Sequence, residues 1–302
     1  MSRVFPGRLE SVGIGKEATA GTAVAPTNWQ PHLALTINPK TTVAQNSSAL
    51  GRLEDINDSA VTGQWVEGSL QGKLLDTTIG LLLLNLFGTE VVTVKETTAS
   101  NHTFTVNNSA LAPSLTFTRV NPNATRRFAL GEITDFELDV KQGDWATFTA
   151  SIVAKTGVTS SDVAAYAVEN EFTSKHLVVK LAANVAGLSG ATALDVKSIK
   201  LKFVSKVDNY IPVGSIDVTS FDPHEFSVTG ELVLRYSDTT MEVLGNANTR
   251  QALSIALTNT DTTIGATSNP ALVFTAPKVR LTPIVLDNKL KSSAQPDDPI
   301  HL

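Results

Sequence analysis

The side chains able to do chemistry are present but dispersed. The five histidines, His32, His102, His176, His224 and His301, stand far apart, and none lies at metal-ligand spacing from another. No Gly-x-Ser-x-Gly elbow or His-Glu-x-x-His pattern occurs. Cysteine is absent, which removes disulfides, thiolate metal sites and Cys nucleophiles together. Val12-Gly13-Ile14-Gly15-Lys16-Glu17 has the look of a phosphate loop, but it lacks the hydroxyl residue after the lysine and the earlier glycine that cradle phosphate. Glu54-Asp55-Ile56-Asn57-Asp58 gathers acids without the turn glycine and distant glutamate of a calcium loop, and reads as a solvated or subunit-facing loop. Trp29, Trp65 and Trp145 are too separate to make a stacking platform, and Arg126-Arg127 reads as a solvated turn. The expectation is a protein that is not an enzyme, with no catalytic, cofactor-binding or metal-binding residues.

The elements that carry these side chains are mainly strands. Of 302 residues, 18% are charged and 42% hydrophobic, and there are 37 threonines. An ordinary soluble domain is about 25% charged, and the shortfall here is made up by a β-branched, strand-favouring residue. Apolar and polar residues alternate at period two in segments such as Leu33–Ile37, His102–Val106, Phe136–Val140, Ala146–Ala150, Ile199–Phe203 and Leu253–Leu257. The net charge of −5 argues against a protein that clamps nucleic acid on a basic surface. The longest apolar stretch, Ile79 to Phe87, is far short of the roughly 20 residues a membrane span needs. With no apolar signal core at the N-terminus, the expected compartment is cytoplasm-like.

The one clear helix signal covers Ile79 to Phe87, with Asp76 as N-cap and Gly88 in the C′ position. The segment leading into it repeats. Val66 to Ile79 aligns without a gap on Val228 to Met241, 162 residues later, and 6 of 14 positions are identical. Both copies run from Val-x-Gly-x-Leu into Asp-Thr-Thr, so Asp238 is the matching cap. Each follows a long polar stretch, Asn38 to Ser59 and Ser205 to Pro223, read as loops. The repeat implies tandem duplication of one β-rich module. The expected layout is an N-terminal arm over 1–30, modules over 31–160 and 161–288, and a C-terminal arm over 289–302. Gln295-Pro296-Asp297-Asp298-Pro299 is expected to form no regular structure.

The run Ile14-Gly15-Lys16-Glu17, then Gly21-Thr22, then Ala25-Pro26-Thr27 resembles the opening of major tail tube proteins of long-tailed bacteriophages. Ala20 stands where that pattern often has an aromatic residue. The resemblance implies tandem tail-tube-type β-sandwich modules, each flanked by a short helix. It implies assembly into a ring around a continuous inner β-barrel, with rings stacked into the tail tube. The implied partners are other copies of the chain, as a trimer acting as a pseudo-hexamer or alternatively a hexamer, together with the tape measure, tail tip and tail terminator proteins. DNA would pass through the lumen without sequence-specific binding and no membrane would be involved. The location would be the virion tail, after assembly in the host cytoplasm. Within this reading the two loops are candidate inter-subunit contacts through Asn46, Arg52, Glu54, Asp55 and Asp58, and through Asp208, Asn209 and Tyr210. The alternative is a β-sandwich binding or adhesin module of a virion or cell surface, against which the scarcity of Trp and Tyr counts.

Overall fold

Alternating threonine-rich segments of this kind fold as strands, and the chain is 57% strand and 10% helix. The computed structural model describes residues 6–108, 112–235, 239–283 and 297–301. Strands β1 (Ser11–Lys16) and β2 (Asn28–Gln30) lead into the long strands β3 (His32–Asn46) and β4 (Asp58–Lys73). Helix α1 (Ile79–Phe87) follows, then β5 (Gly88–Glu96), β6 (Ala99–Val106), β7 (Leu115–Asn121), β8 (Ala124–Lys141), β9 (Thr147–Ala154) and β10 (Val158–Ser160). Later come β11 (Leu177–Ala182), β12 (Val196–Tyr210), β13 (Ser220–Arg235), α2 (Thr240–Asn246), β14 (Arg250–Thr258), β15 (Ala271–Arg280) and β16 (Asp297–His301).

One antiparallel path runs β3-β4-β9-β8-β12-β13-β16. Its strands alternate by side. Phe136, Leu138 and Val140 of β8 are buried, as are Ile199, Leu201 and Phe203 of β12 and Phe148, Ala150 and Ile152 of β9. They join α1 and the inner residues of β1 and β7 in a single apolar cluster. Strand β8 also serves a second path. Its first part pairs with β7, which carries β1 and β2, and its later part pairs with β9 and β12. The switch falls at Leu130, held at φ 54, and Gly131. A Cβ on Gly131 would sit 2.6 Å from the Leu115 carbonyl and the Phe117 ring, so only glycine lets the strands approach there.

Helix α1 occupies the expected span, and Gly88 closes it in the left-handed region at φ 85. Its body is buried, as an apolar helix requires. Three expectations need correction. The stretches Asn38–Ser59 and Ser205–Pro223 are not loops but the outer parts of two long hairpins, β3–β4 and β12–β13, with turns over 47–57 and 211–219. In the first hairpin the outer residues are exposed on both faces and carry no apolar alternation to betray a strand; in the second only Val207 and Phe221 turn inward, too few to show one. Within 1–30, the described residues 6–30 are not an irregular arm throughout, because β1 pairs with both β2 and β7 and its centre is buried. At the other end, Asp297–His301 pairs with β13. There Pro299 is tolerated because β16 lies at an edge, where a missing N–H can face outward.

The long sheet crosses the expected module boundary at 160 without a break, since β8 pairs with β12 from Lys141↔Ser198 to Asp135↔Val204. The bounds of β4 and β13 differ by 162 residues at both ends, and so do those of β5 and β14.

Candidate functional site

The N-terminal motif builds a packing knot. Ile14 lies fully buried in β1. Cβ atoms on Gly13 and Gly15 would sit 2.6 Å from Pro26 and from the Ala25 carbonyl, so the two glycines let the Ala25-Pro26-Thr27 segment lie across the strand. The buried Glu17 carboxylate accepts hydrogen bonds from the Gly21 amide at 2.7 Å, Ser114 Oγ at 2.6 Å, Thr116 Oγ1 at 2.8 Å and the Leu130 amide at 2.9 Å. Gly21, at φ 79, is free to make that turn. One carboxylate thereby ties the motif to β7 and to the switch point of β8.

Beside this knot Asn85 of α1 donates to the Glu132 carboxyl at 2.7 Å, and its Oδ1 accepts from the Ile133 amide at 2.8 Å. Burial pushes the Glu132 carboxyl up to about 8. The Asn85 hydrogen bond opposes this and the Glu17 charge adds to it. Glu132 opens on a cleft of about 540 Å³ whose other walls include Phe87, Val207, His224, Glu225 and Phe226.

Asp76 does not cap α1. The N-cap is Thr78, two residues later, and the orphan amides are served by Glu169, which accepts from Thr78 N at 2.7 Å and Thr77 N at 3.2 Å. Asp76 instead accepts from the Asn170 amide at 3.0 Å and side chain at 2.7 Å, pinning the segment between the two halves. The matching cap, Asp238, lies outside the described residues. Arg127 is not a solvated turn residue either. Its guanidinium grips Asp162 through Nε at 2.7 Å and Nη2 at 2.5 Å and holds that carboxyl below the usual range.

The contact candidates gather at one end of the long sheet. Asn46 ends β3 and accepts from the Ser48 amide at 3.0 Å. Arg52 and Glu54 pair at 3.7 Å, Asp55 is exposed, and Asp58 starts β4. Asp208, Asn209 and Tyr210 end β12, with Asp208 3.7 Å from His224. The second turn leans across onto β4. Gln64 donates to Asp217 at 2.6 Å, and Val218 is buried in a small cluster with Leu130 and Phe221. The two sets therefore share one end, while the first turn stands free.

The side of the long sheet away from the core is polar. Asp135, Glu137 and Asp139 alternate with the core residues of β8, and Lys200 and Lys202 do so on β12. They pair as Lys202–Asp135 at 3.1 Å, Lys200–Glu137 at 3.4 Å and Lys141–Asp139 at 2.8 Å. Thr147, Thr149 and Ser151 continue the same side on β9. Among the described residues no group of three or more His, Asp or Glu is placed to hold a metal ion, and no helix is long and apolar enough to cross a membrane.

These features define a class: a β-rich structural chain whose prominent surfaces are protruding hairpins and one polar sheet face. A family model described as phage tail tube protein matches residues 7–297, and the chain belongs to that family. It is therefore a structural tail tube protein, a component of the virion tail. No curated protein matches the chain.

Proposed function

We propose that this chain polymerises into stacked rings that form the phage tail tube, built around the tape measure protein and later serving as the conduit for DNA ejection. The observation that carries the reading is the long sheet with open ends. Among the described residues β3 pairs only with β4, and β16 only with β13. Unpaired edges invite pairing with another chain, and closing a sheet on itself removes them. Edge-to-edge joining of copies around an axis makes a ring with a barrel inside. The apolar side is covered by α1, β1 and β7, so the polar side faces the lumen. Its threonines and paired charges offer DNA no basic surface on which to settle.

The 162-residue offset between β4 and β13 supports two modules per chain, hence three chains in a pseudo-hexameric ring, with six chains as the alternative. Tail tip and terminator proteins would cap the stack, and assembly would take place in the host cytoplasm. Negative-stain microscopy of the purified protein tests the reading: rings or tubes with a central hole are expected, with three chains per ring by native mass. A monodisperse monomer at high concentration would overturn it.

A further inference from the structure

We infer that the β5–β6 hairpin is a strap that fixes the angle between the two halves of the chain and so presets the curvature of the ring, an inference whose ring part rests on the tail tube reading. The hairpin forms a two-stranded sheet of its own. It leaves α1 at Gly88 and lies on the far side of that helix from the long sheet. Asn85 of α1 faces β8 through its bonds to Glu132 and Ile133, whereas Gly80 faces the Phe104 ring of β6. Five positions at 3.6 residues per turn set those two about 140° apart around the helix.

The tip of the strap is held by the second half. Glu96, the last residue of β5, accepts from Thr267 Oγ1 at 2.7 Å, Ser268 Oγ at 2.8 Å and the Thr267 amide at 3.2 Å. Thr98 Oγ1 donates to the Ile264 carbonyl at 2.9 Å, and Ala99 is buried beside it. Gly265 leaves no room for a Cβ next to the Glu96 carboxylate. The Thr267 and Ser268 donors hold the Glu96 carboxyl down at about 2, so the anchor is ionised at neutral pH. Between its ends the strap is wet on both faces, with the adjacent Val91 and Val92 both exposed and Val94 more so. A lone two-stranded hairpin is marginal in water. Its two anchors, Phe104 on α1 and Glu96 with Thr98 on the 264–268 loop, therefore keep it formed, and it acts through its ends.

Its position gives the strap leverage. The halves also join through the β8–β12 ladder and at the end of the sheet, where Phe172 bonds to Leu74 and Ala146. Neighbouring strands of a ladder can sit anywhere from about −10° to −35° apart, so a ladder alone leaves the angle soft. A second tie beyond α1, in the outer layer, removes that freedom. The second half has no such strap. By pairing, β14 answers to β7, since β7 lies between β1 and β8 as β14 lies between β11 and β15. Only residues 247–249 separate α2 from β14, whereas the strap fills the interval between α1 and β7. In a ring, the junction within each chain is thus strapped and α2 sends no strap to the next chain. Each copy enters with its own angle set, and the junction between chains is left to close the circle.

The test uses the full chain, whose lack of cysteine lets two be introduced for spin labels, N123C in the first half and G190C in the second. Two variants cut the tip anchor from opposite sides, E96A/T98A and T267A/S268A. Each is expected to leave the main melting transition in place and to speed amide exchange across 91–94 about ten-fold or more. In the unassembled chain each should widen the distribution of distances between the labels about two-fold. Rings from cut protein should vary in chain number where wild type gives one number. If one variant fails to fold, the other carries the test. Wild-type exchange and a wild-type distance width in the cut protein would overturn the strap, whether or not rings form. Wider distances with rings as uniform as wild type would overturn its role in curvature. A wild-type protein that makes no ring would remove the ring part along with the tail tube reading, while the distances still decide the strap.

Discussion

Glu17 shows how much a single side chain can organise. Its four donors come from the 21 turn, from Ser114 just before β7 and Thr116 within it, and from the β8 switch point, so truncation leaves buried amides and hydroxyls without an acceptor. E17A should lower unfolding free energy by about 3 kcal/mol or more in urea titrations, with Leu130 losing amide-exchange protection. Glu132 makes the opposite kind of statement. Its ordinary value is 4.5 and its folded value about 8, so the folded state holds the proton more tightly than the unfolded chain. Stability from this group is complete below about 4.5, falls as pH rises through the interval, and is gone above about 8. E132Q keeps Asn85 a hydrogen-bond partner without the titration. Wild-type protein should therefore lose stability relative to E132Q between about pH 4.5 and pH 8, and parallel melting curves over that range would contradict it. The Ile-Gly-x-Glu spacing marks Glu17 as notable in the sequence, but three of its four partners lie about a hundred residues away and no local pattern shows them. Glu169 was invisible as a helix cap for the same reason, while Asp76, two residues too early, looked right.

At the level of elements, local signals were legible where a segment's own periodicity matched its burial. Helix α1 and its closing Gly88 could be read because a short apolar run with a left-handed stop has no other good conformation. The outer part of β3 could not, since a strand wet on both faces shows no alternation, and past Ser205 on β12 Val207 alone packs inward. Nor could the bend of β8. Its sequence alternates only in the later half, and the switch at Leu130-Gly131 is set by β7 pressing on it. Gly131→Ala places a methyl against the Leu115 carbonyl and Phe117 ring, so it should destabilise by about 1–3 kcal/mol. Thermal melts check the size. Native mass should show impaired assembly too, because the same residue sets the angle between the two strand paths.

For the whole molecule, the long sheet spans both halves and, among the described residues, stops at two unlike edges, β3 and β16, so the proposed lateral closure would need the intact chain. Pro39 sits within β3, opposite Val66. A proline survives inside a strand where its missing N–H would have pointed away from the paired neighbour. Peptide groups alternate direction along a strand, so the Thr41 N–H also points outward, away from β4 and toward the open edge where the proposed neighbour would pair. Thr41→Pro should then leave the β3–β4 ladder and the melting temperature nearly unchanged while removing one donor from the closing edge. Lys40→Pro strikes the inner row and should destabilise the hairpin itself. The expected outcome is folded T41P protein that remains a free subunit by sizing chromatography. If T41P closes rings as readily as wild type, β3 is not the edge that joins the next copy, and closure must run through another surface.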